Sequence, residues 1–168
     1  PRILSVRYNV VDSLSKSNSF THLIVGGSRG IGRSLVDQSI QAGQSLSVLS
    51  RTPPVEQSSG CTWITGDAAK PEEFTDQLPE KINALTFCPG KVILGPIRRL
   101  KAEQMLEAYQ TSVLDAFTLV QALLPRLDGS VVFISSVAAT TGLPSHCAIS
   151  AAKSGLEGFA LALSADLA

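Results

Sequence analysis

The chain has 168 residues, 44% of them hydrophobic, and its 14 basic residues balance its 14 acidic ones. This length suits one domain with a buried core, and the composition excludes a disordered chain. Zero net charge without a basic stripe argues against nucleic acid as a partner, and no apolar run reaches the ~20 residues of a membrane helix.

Residues 1–19 are rich in serine and have more basic than acidic side chains. This bias is typical of the end of an organelle transit peptide, and it fits an ordinary flexible arm as well. We therefore assign residues 1–19 to an N-terminal arm and residues 20–168 to a single domain without a further linker.

Three cysteines, Cys61, Cys88 and Cys147, are far apart in the sequence. They form neither a CxxC motif nor a metal-ligand spacing, so the sequence predicts no metal site. The odd count indicates reduced, mostly buried thiols in a reducing compartment, either the cytoplasm or an organellar matrix or stroma.

Short apolar strands alternate with helical segments along residues 20–168. Strands are predicted at residues 20–25, 46–49, 61–65, 82–88 and 131–135. Helices are predicted at residues 30–42, 71–78, 100–124 and 147–167. This alternation implies right-handed βαβ crossovers and a parallel sheet covered on both faces. The predicted fold class is therefore α/β, a Rossmann-like doubly wound parallel sheet.

A glycine-rich loop joins the first predicted strand to the first predicted helix. Glycines in this position permit a tight turn and a close approach of the backbone to phosphate, while the helix N-terminus offers free N–H groups to a pyrophosphate. The strand–loop–helix context favours a dinucleotide site over a turn without a ligand. The predicted binding residues of the loop are Gly26, Ser28, Arg29, Gly30, Ile31 and Gly32.

The end of the second predicted strand indicates which dinucleotide binds. An acidic residue there would hydrogen-bond the ribose hydroxyls and repel a 2′-phosphate. The strand instead ends in Ser50 and Arg51, which are suited to bind a 2′-phosphate together with Arg29. Arg51 is alternatively an ordinary solvated surface residue. We therefore favour NADP(H) over NAD(H) as the cofactor.

The glycine spacing resembles that of the short-chain dehydrogenase/reductase family, and the resemblance covers about residues 20–168. Val25 replaces the threonine that usually opens the motif. The family's Asn-Asn-Ala-Gly segment is replaced by Phe-Cys-Pro-Gly, of which Gly90 alone is retained, so the backbone can still approach the cofactor. The resemblance implies that Asp67 contacts the adenine amino group, although a helix cap is an equal alternative.

The resemblance also implies a catalytic serine, lysine and helix-borne polar residue, which map to Ser136, Lys153 and Ser112. The family's catalytic tyrosine position is occupied by Ile149, whose hydrocarbon side chain neither donates nor accepts a proton. Three groups are candidate substitutes: the amine of Lys153, the imidazole of His146 one helical turn before position 149, and a water held by Ser136. His146 is alternatively a helix cap or a solvent-facing side chain, and Lys153 alternatively holds a ribose without chemistry.

The expected function is reversible hydride transfer between NADP(H) and a carbonyl or alcohol substrate by an oxidoreductase with an altered catalytic centre. The alternative is a catalytically inactive NADP(H)-binding subunit of a larger assembly. Relative to the full family domain the chain is expected to be C-terminally truncated, ending in the helix after the fifth predicted strand. A homo-oligomer or a larger complex is expected, and if the chain is a shortened relative rather than a fragment, a partner should cover the edge of that strand. Small residues of the last helix suit either subunit pairing or internal packing, namely Ala148, Ala151, Ala152 and Gly155.

Overall fold

A computed structural model describes residues 2–7, 20–52 and 59–167. Its strands are β1 (Arg2–Arg7), β2 (Thr21–Val25), β3 (Ser45–Ser50), β4 (Thr62–Thr65), β5 (Ile82–Phe87) and β6 (Leu127–Ser135). Its α-helices are α1 (Gly30–Gln41), α2 (Ala102–Tyr109), α3 (Asp115–Leu123) and α4 (Cys147–Asp166). These elements confirm the predicted α/β class and the approximate positions of the five predicted strands.

The sheet has the order β1-β6-β5-β2-β3-β4. Strands β2 to β6 pair in parallel. The chain adds β3 and β4 on one side of β2 and then β5 and β6 on its other side, so the strand order reverses at β2. The middle of β2 is covered on both faces, because Leu23 and Ile24 point to opposite sides and are 0% exposed. A crevice forms where the strand order reverses, at the carboxyl ends of the parallel strands.

The N-terminal strand is the main departure from the sequence prediction. Arg2–Arg7 is not a free arm, because it pairs antiparallel with β6, with Arg2 opposite Ser135. Val6 is 2% exposed and belongs to the main core. The edge of β6, which we expected a partner to cover, is therefore covered by this chain's own β1, and the sheet is mixed rather than wholly parallel. The rest of the predicted arm, residues 8–19, lies outside the described residues.

Two predicted helices differ in the structure. The segment 71–78 contains two short 3₁₀ turns instead of one helix. The long helix predicted at 100–124 is interrupted by a π-helical turn at Gln110–Leu114, which separates α2 from α3. Ser112, one of the predicted catalytic residues, lies within this turn. By contrast, α1 ends as predicted before Gly43, whose φ of +69° places it in the left-handed region that glycine tolerates.

Helices pack on the two faces of the sheet around separate clusters. The larger cluster joins α3 and α4 to one face, and the smaller joins α1 to the other. A third cluster, of Ala108 with Ala148 and Ala152, holds α2 against α4. A Cβ at Gly155 would lie 2.9 Å from the ring of Tyr109, so this glycine also serves internal packing. Of the four small residues singled out in the sequence, Ala151 is exposed.

The cysteines and the helices bear on the sequence predictions of thiol state, metal and membrane. Cys61, Cys88 and Cys147 form no disulfide with one another, but Cys147 is exposed, so the expectation of mostly buried thiols is wrong for this residue. Among the described residues no helix is long and apolar enough to span a membrane. In the same part of the chain no group of three or more His, Cys, Asp or Glu side chains is arranged to hold a metal ion.

The buried His22 of β2 predicts an acid sensitivity of the fold. Its Nε2 lies 2.8 Å from Thr86 Oγ1, and burial lowers its pKa below 6.5. The unfolded chain therefore binds this proton more readily than the folded one, and we expect Tm to fall as the pH drops below 6.5. His22→Gln removes this contribution, whereas His146→Gln, at a partly exposed loop position, retains it. Thermal unfolding between about pH 7.5 and 5 measures the difference, and identical pH dependence in all three proteins would contradict it.

Candidate active site

A cleft of about 1060 Å³ opens at the carboxyl ends of the parallel strands. It brings together the glycine loop, the ends of β3 and β4, the segment after β5 and the start of α4. All but one of the predicted site residues line it: Gly26, Ser28, Arg29, Gly30, Ile31, Gly32, Ser50, Arg51, Asp67, Gly90, Ser136 and Lys153. The exception is Ser112, which lies behind the wall of the cleft.

The glycine loop has the geometry that a pyrophosphate requires. Gly26 and Gly30 have φ values of +81° and +59°, in the left-handed region. A Cβ at Gly32 would collide with the carbonyl oxygen of Gly26, so the helix begins tightly against the loop. Arg29 is the N-cap of α1 and its side chain makes no capping hydrogen bond, which leaves the first N–H groups of the helix without a side-chain acceptor. These features fit the phosphates of a dinucleotide.

Two arginine side chains lie at the end of the cleft predicted to hold the adenosine. Arg29 and Arg51 line it, and neither forms a salt bridge with another residue of the described ranges. Ser50 lines it too, but its Oγ donates to the carbonyl oxygen of Thr52 at 3.1 Å, so this hydroxyl proton is already engaged. Two guanidinium groups are therefore the main cationic groups available to an anion at this end.

Two carboxylates face the same end of the cleft. Asp67 accepts from the N–H of Ala69 at 3.1 Å, so it closes a turn, and Lys70 rather than Asp67 precedes the following 3₁₀ helix. Asp115 was not predicted from the sequence, although an acid within the apolar stretch 113–117 was a usable signal. Burial raises the pKa of Asp115; a hydrogen bond from Gln110 opposes this rise, the charge of Asp67 adds to it and that of Arg51 lowers it.

The amine of Lys153 is buried at the inner end of the cleft. Its side chain is 6% exposed, and its Nζ donates to the carbonyl oxygens of Ile134 at 2.7 Å and Pro89 at 3.4 Å. Burial lowers the pKa of Lys153 to about 8. A Cβ at position 90 would lie 2.9 Å from this Nζ, which explains why the retained Gly90 suits the site. The ammonium group is therefore poised to lose a proton near neutral pH.

Cys88 is a neighbour of Lys153 that the sequence analysis did not place in the site. It lines the cleft, and burial raises the pKa of its thiol to about 11, an effect that the charge of Lys153 partly offsets. At neutral pH the thiol is protonated, so it offers Lys153 no negative charge. The lowered pKa of Lys153 is therefore caused mainly by burial.

Ser136 lines the cleft with a hydrogen still available to a ligand. Its Oγ accepts from the N–H of Ala138 at 3.2 Å, at the start of a short 3₁₀ turn. Because this bond uses the oxygen as an acceptor, the hydroxyl proton remains free to be donated. Ser136 and Lys153 therefore supply two donors to one cavity.

Ile149 stands at the position where the family resemblance predicts a tyrosine, and the neighbouring His146 does not line the cleft. Ile149 lines the cleft, is 4% exposed and offers no polar atom. His146 is not among the lining residues, and its Nδ1 lies 2.6 Å from the carbonyl oxygen of Pro144. Because a carbonyl accepts, this nitrogen is the donor. Of the three candidate substitutes, the imidazole of His146 is therefore the one that does not reach the cleft.

Ser112 was predicted as catalytic but lies one layer behind the cleft. It is 0% exposed, and its Oγ has no hydrogen-bond partner among the described residues. A Cβ at Gly90 would lie 3.6 Å from this oxygen and 2.9 Å from Lys153 Nζ, so both polar atoms flank the same glycine. Ser112 is therefore not placed to contact a ligand in the cleft directly.

Comparison with known proteins places these features in context. Residues 21–168 match the family model described as short chain dehydrogenase. Over 163 residues the chain is 29% identical to carbonyl reductase family member 4 of Danio rerio, covering 87% of this chain and 68% of that protein. It is 27% identical over 163 residues to the 3-oxoacyl-[acyl-carrier-protein] reductase of Homo sapiens, with coverages of 86% and 68%.

Solved structures share the fold. A short chain dehydrogenase family protein from Francisella tularensis superposes with a TM-score of 0.77 at 19% identity, covering 89% of this chain and 64% of that one. The aldohexose dehydrogenase of Thermoplasma acidophilum gives a TM-score of 0.76 at 19% identity, with coverages of 89% and 62%. The chain thus spans a little under two thirds of the length of these solved chains.

Proposed function

The chain belongs to the short-chain dehydrogenase family, and from that premise we propose that it is an NADP(H)-dependent oxidoreductase with an altered catalytic centre. The proposed substrate is a small carbonyl compound or the corresponding alcohol. The similarity to a carbonyl reductase and to a 3-oxoacyl-[acyl-carrier-protein] reductase supports this substrate class. The observation that carries the proposal is the presence of the Ser136 hydroxyl and the Lys153 amine in the same cleft as the glycine loop.

The preference for NADP(H) follows from the charges around the ribose end of the cleft. The end of β3 has no carboxylate, and Arg51 there is exposed and without a salt bridge to any described residue. Arg29 also lines the cleft. Two guanidinium groups favour a 2′-phosphate through charge-assisted hydrogen bonds. Asp115 opposes them, because its carboxylate is in electrostatic reach of Arg51.

In the proposed mechanism Lys153 is the proton donor that replaces the missing tyrosine. When bound, NADP(H) supplies or accepts the hydride at the substrate carbon. Ser136 donates its free hydroxyl proton as a hydrogen bond to the carbonyl oxygen. Lys153 gives a proton to that oxygen as negative charge develops on it, which leaves a neutral amine that solvent reprotonates. A pKa of about 8 keeps the ammonium form populated at neutral pH while making it a competent acid.

The alternative function is binding of NADP(H) without turnover. Two observations favour it. Lys153 Nζ is already held by the carbonyl oxygens of Ile134 and Pro89, and Ile149 presents a hydrocarbon surface where the family has its acid. In that case the lysine and the glycine loop serve to hold the dinucleotide, and the bound nucleotide stabilises the folded chain.

The cofactor preference is tested by titrating the chain with NADPH and NADH while following nicotinamide fluorescence. We expect NADPH to bind more tightly than NADH. We expect Arg51→Ala to weaken NADPH binding by about tenfold, a loss of roughly 1.4 kcal/mol of binding free energy. NADH affinity should change little, because it has no 2′-phosphate. Arg33→Ala is the matched control, since Arg33 lies on α1 beside Asp37 and does not line the cleft. Equal affinity for the two nucleotides would contradict the preference.

The proton donor is tested with two variants at saturating NADPH. Lys153→Arg keeps the positive charge but cannot release a proton, so we expect the single-turnover rate of carbonyl reduction to fall by roughly 10²–10⁴-fold. Ile149→Tyr adds the family's phenol and should raise the rate. If wild type shows no turnover and Ile149→Tyr alone creates it, the chain is a disabled scaffold and the binding function stands. If Lys153→Arg reduces at the wild-type rate, Lys153 is not the acid.

A further inference from the structure

A stripe of polar side chains on α4 hydrogen-bonds to the segment that contains Ser136. The stripe has the spacing i, i+3, i+4 and i+7, which places its side chains on one helical face. It consists of Ser150, Lys153, Ser154 and Glu157. Each of these side chains bonds to residues 134–139, the end of β6 and the 3₁₀ turn that follows it.

Three of the bonds fix the backbone on both sides of Ser136. Ser150 Oγ donates to the carbonyl oxygen of Ala138 at 2.6 Å, and Ser154 Oγ donates to that of Ala139 at 2.7 Å. On the other side, Lys153 Nζ donates to the carbonyl oxygen of Ile134 at 2.7 Å. The position of the Ser136 hydroxyl relative to the Lys153 amine is therefore set by α4.

The fourth bond connects this stripe to the N-terminal strand. Glu157 Oε1 accepts from Ser135 Oγ at 2.8 Å, and Glu157 Oε2 lies 3.3 Å from Arg2 Nη1. The same Nη1 donates to Thr140 Oγ1 at 3.3 Å. Arg2 thus joins both ends of the Ser136 segment, because Ser135 precedes that serine and Thr140 follows it.

We propose that Glu157 and Arg2 are positioning residues that hold the Ser136 segment against α4 and thereby align Ser136 with Lys153. The N-terminal strand is then part of the catalytic scaffold as well as an edge of the sheet. The effect of these two residues on turnover rests on the proposed oxidoreductase function, whereas their effect on the Ser136 segment does not. Because the Arg2 and Glu157 side chains are 47% and 18% exposed, the pair contributes little to global stability and acts locally.

The test uses Glu157→Ala and Arg2→Ala in the full chain, with Asp128→Ala as the matched control. Asp128 forms an ion pair with Lys81 at 3.1 Å near the opposite end of β6, with similar exposures of 26% and 55%. Amide hydrogen exchange of residues 137–141 is the readout that needs no activity. The N–H groups of Ala139, Thr140 and Thr141 are hydrogen-bonded within this turn, so their exchange reports how firmly it is held.

We expect exchange in this segment to accelerate severalfold in Glu157→Ala and Arg2→Ala and to stay at the wild-type rate in Asp128→Ala. Glu157→Gln, whose amide oxygen still accepts from Ser135, should give an intermediate rate. Unchanged exchange in both test variants, or equal acceleration in the control, would overturn the proposal. Either result is independent of whether the chain reduces a carbonyl.

Turnover provides the second readout. We expect kcat to fall by about tenfold or more in Glu157→Ala, since a displacement of ~1 Å at a catalytic group can cost about 10²-fold. The KM for NADPH should stay within about twofold, because neither Glu157 nor Arg2 lines the cleft. A wild-type chain without turnover removes the oxidoreductase proposal and leaves the exchange result to decide the positioning role. Faster exchange with an unchanged kcat rejects the catalytic part of the inference.

Discussion

Burial of one ammonium group is the constraint on which the site depends. Lys153 is almost fully enclosed, and taking a charge out of water is costly unless hydrogen bonds replace the lost hydration. The carbonyl oxygens of Ile134 and Pro89 provide that replacement, the first from the end of β6 and the second from the segment that follows β5. Gly90 leaves the space that the amine needs. The ends of β5 and β6 and the start of α4 are therefore fixed relative to one another by a single side chain.

The sheet edge next to this centre is completed by the chain's own N-terminal residues. A doubly wound sheet has a sixth position beyond the strand that β6 represents, and β1 occupies it in antiparallel orientation. The pairing reaches from Ser130 to Ser135, so it covers the β6 edge up to the residue before Ser136. A bare edge beside a cleft would be prone to pairing with other chains. The N-terminal strand covers the β6 edge, so that β1 becomes the edge of the sheet, and it brings Arg2 to the Ser136 segment.

The sequence was most informative where structure is determined locally. Strand–glycine–helix spacing predicted the loop at 26–32, and periodicity predicted five strands, because these signals depend on neighbouring residues. The edge strand Arg2–Arg7 was missed although Ile3, Leu4 and Val6 suit a strand, since its partner lies more than a hundred residues away in the sequence. The π-helical turn at Gln110–Leu114 has no signature in the apolar spacing of the sequence, so the burial of Ser112 behind the cleft was not predicted. The depth of Lys153 depends on tertiary packing alone.

The central claim is that a buried lysine does the work of an absent tyrosine. The most direct measurement is the pH dependence of the single-turnover rate of carbonyl reduction at saturating NADPH. With Lys153 as the acid and a pKa of about 8, the rate should be constant at lower pH and fall about tenfold per pH unit well above that value. A rate that stays constant or rises from about pH 8 to 10 would show that another group delivers the proton, and would contradict the account.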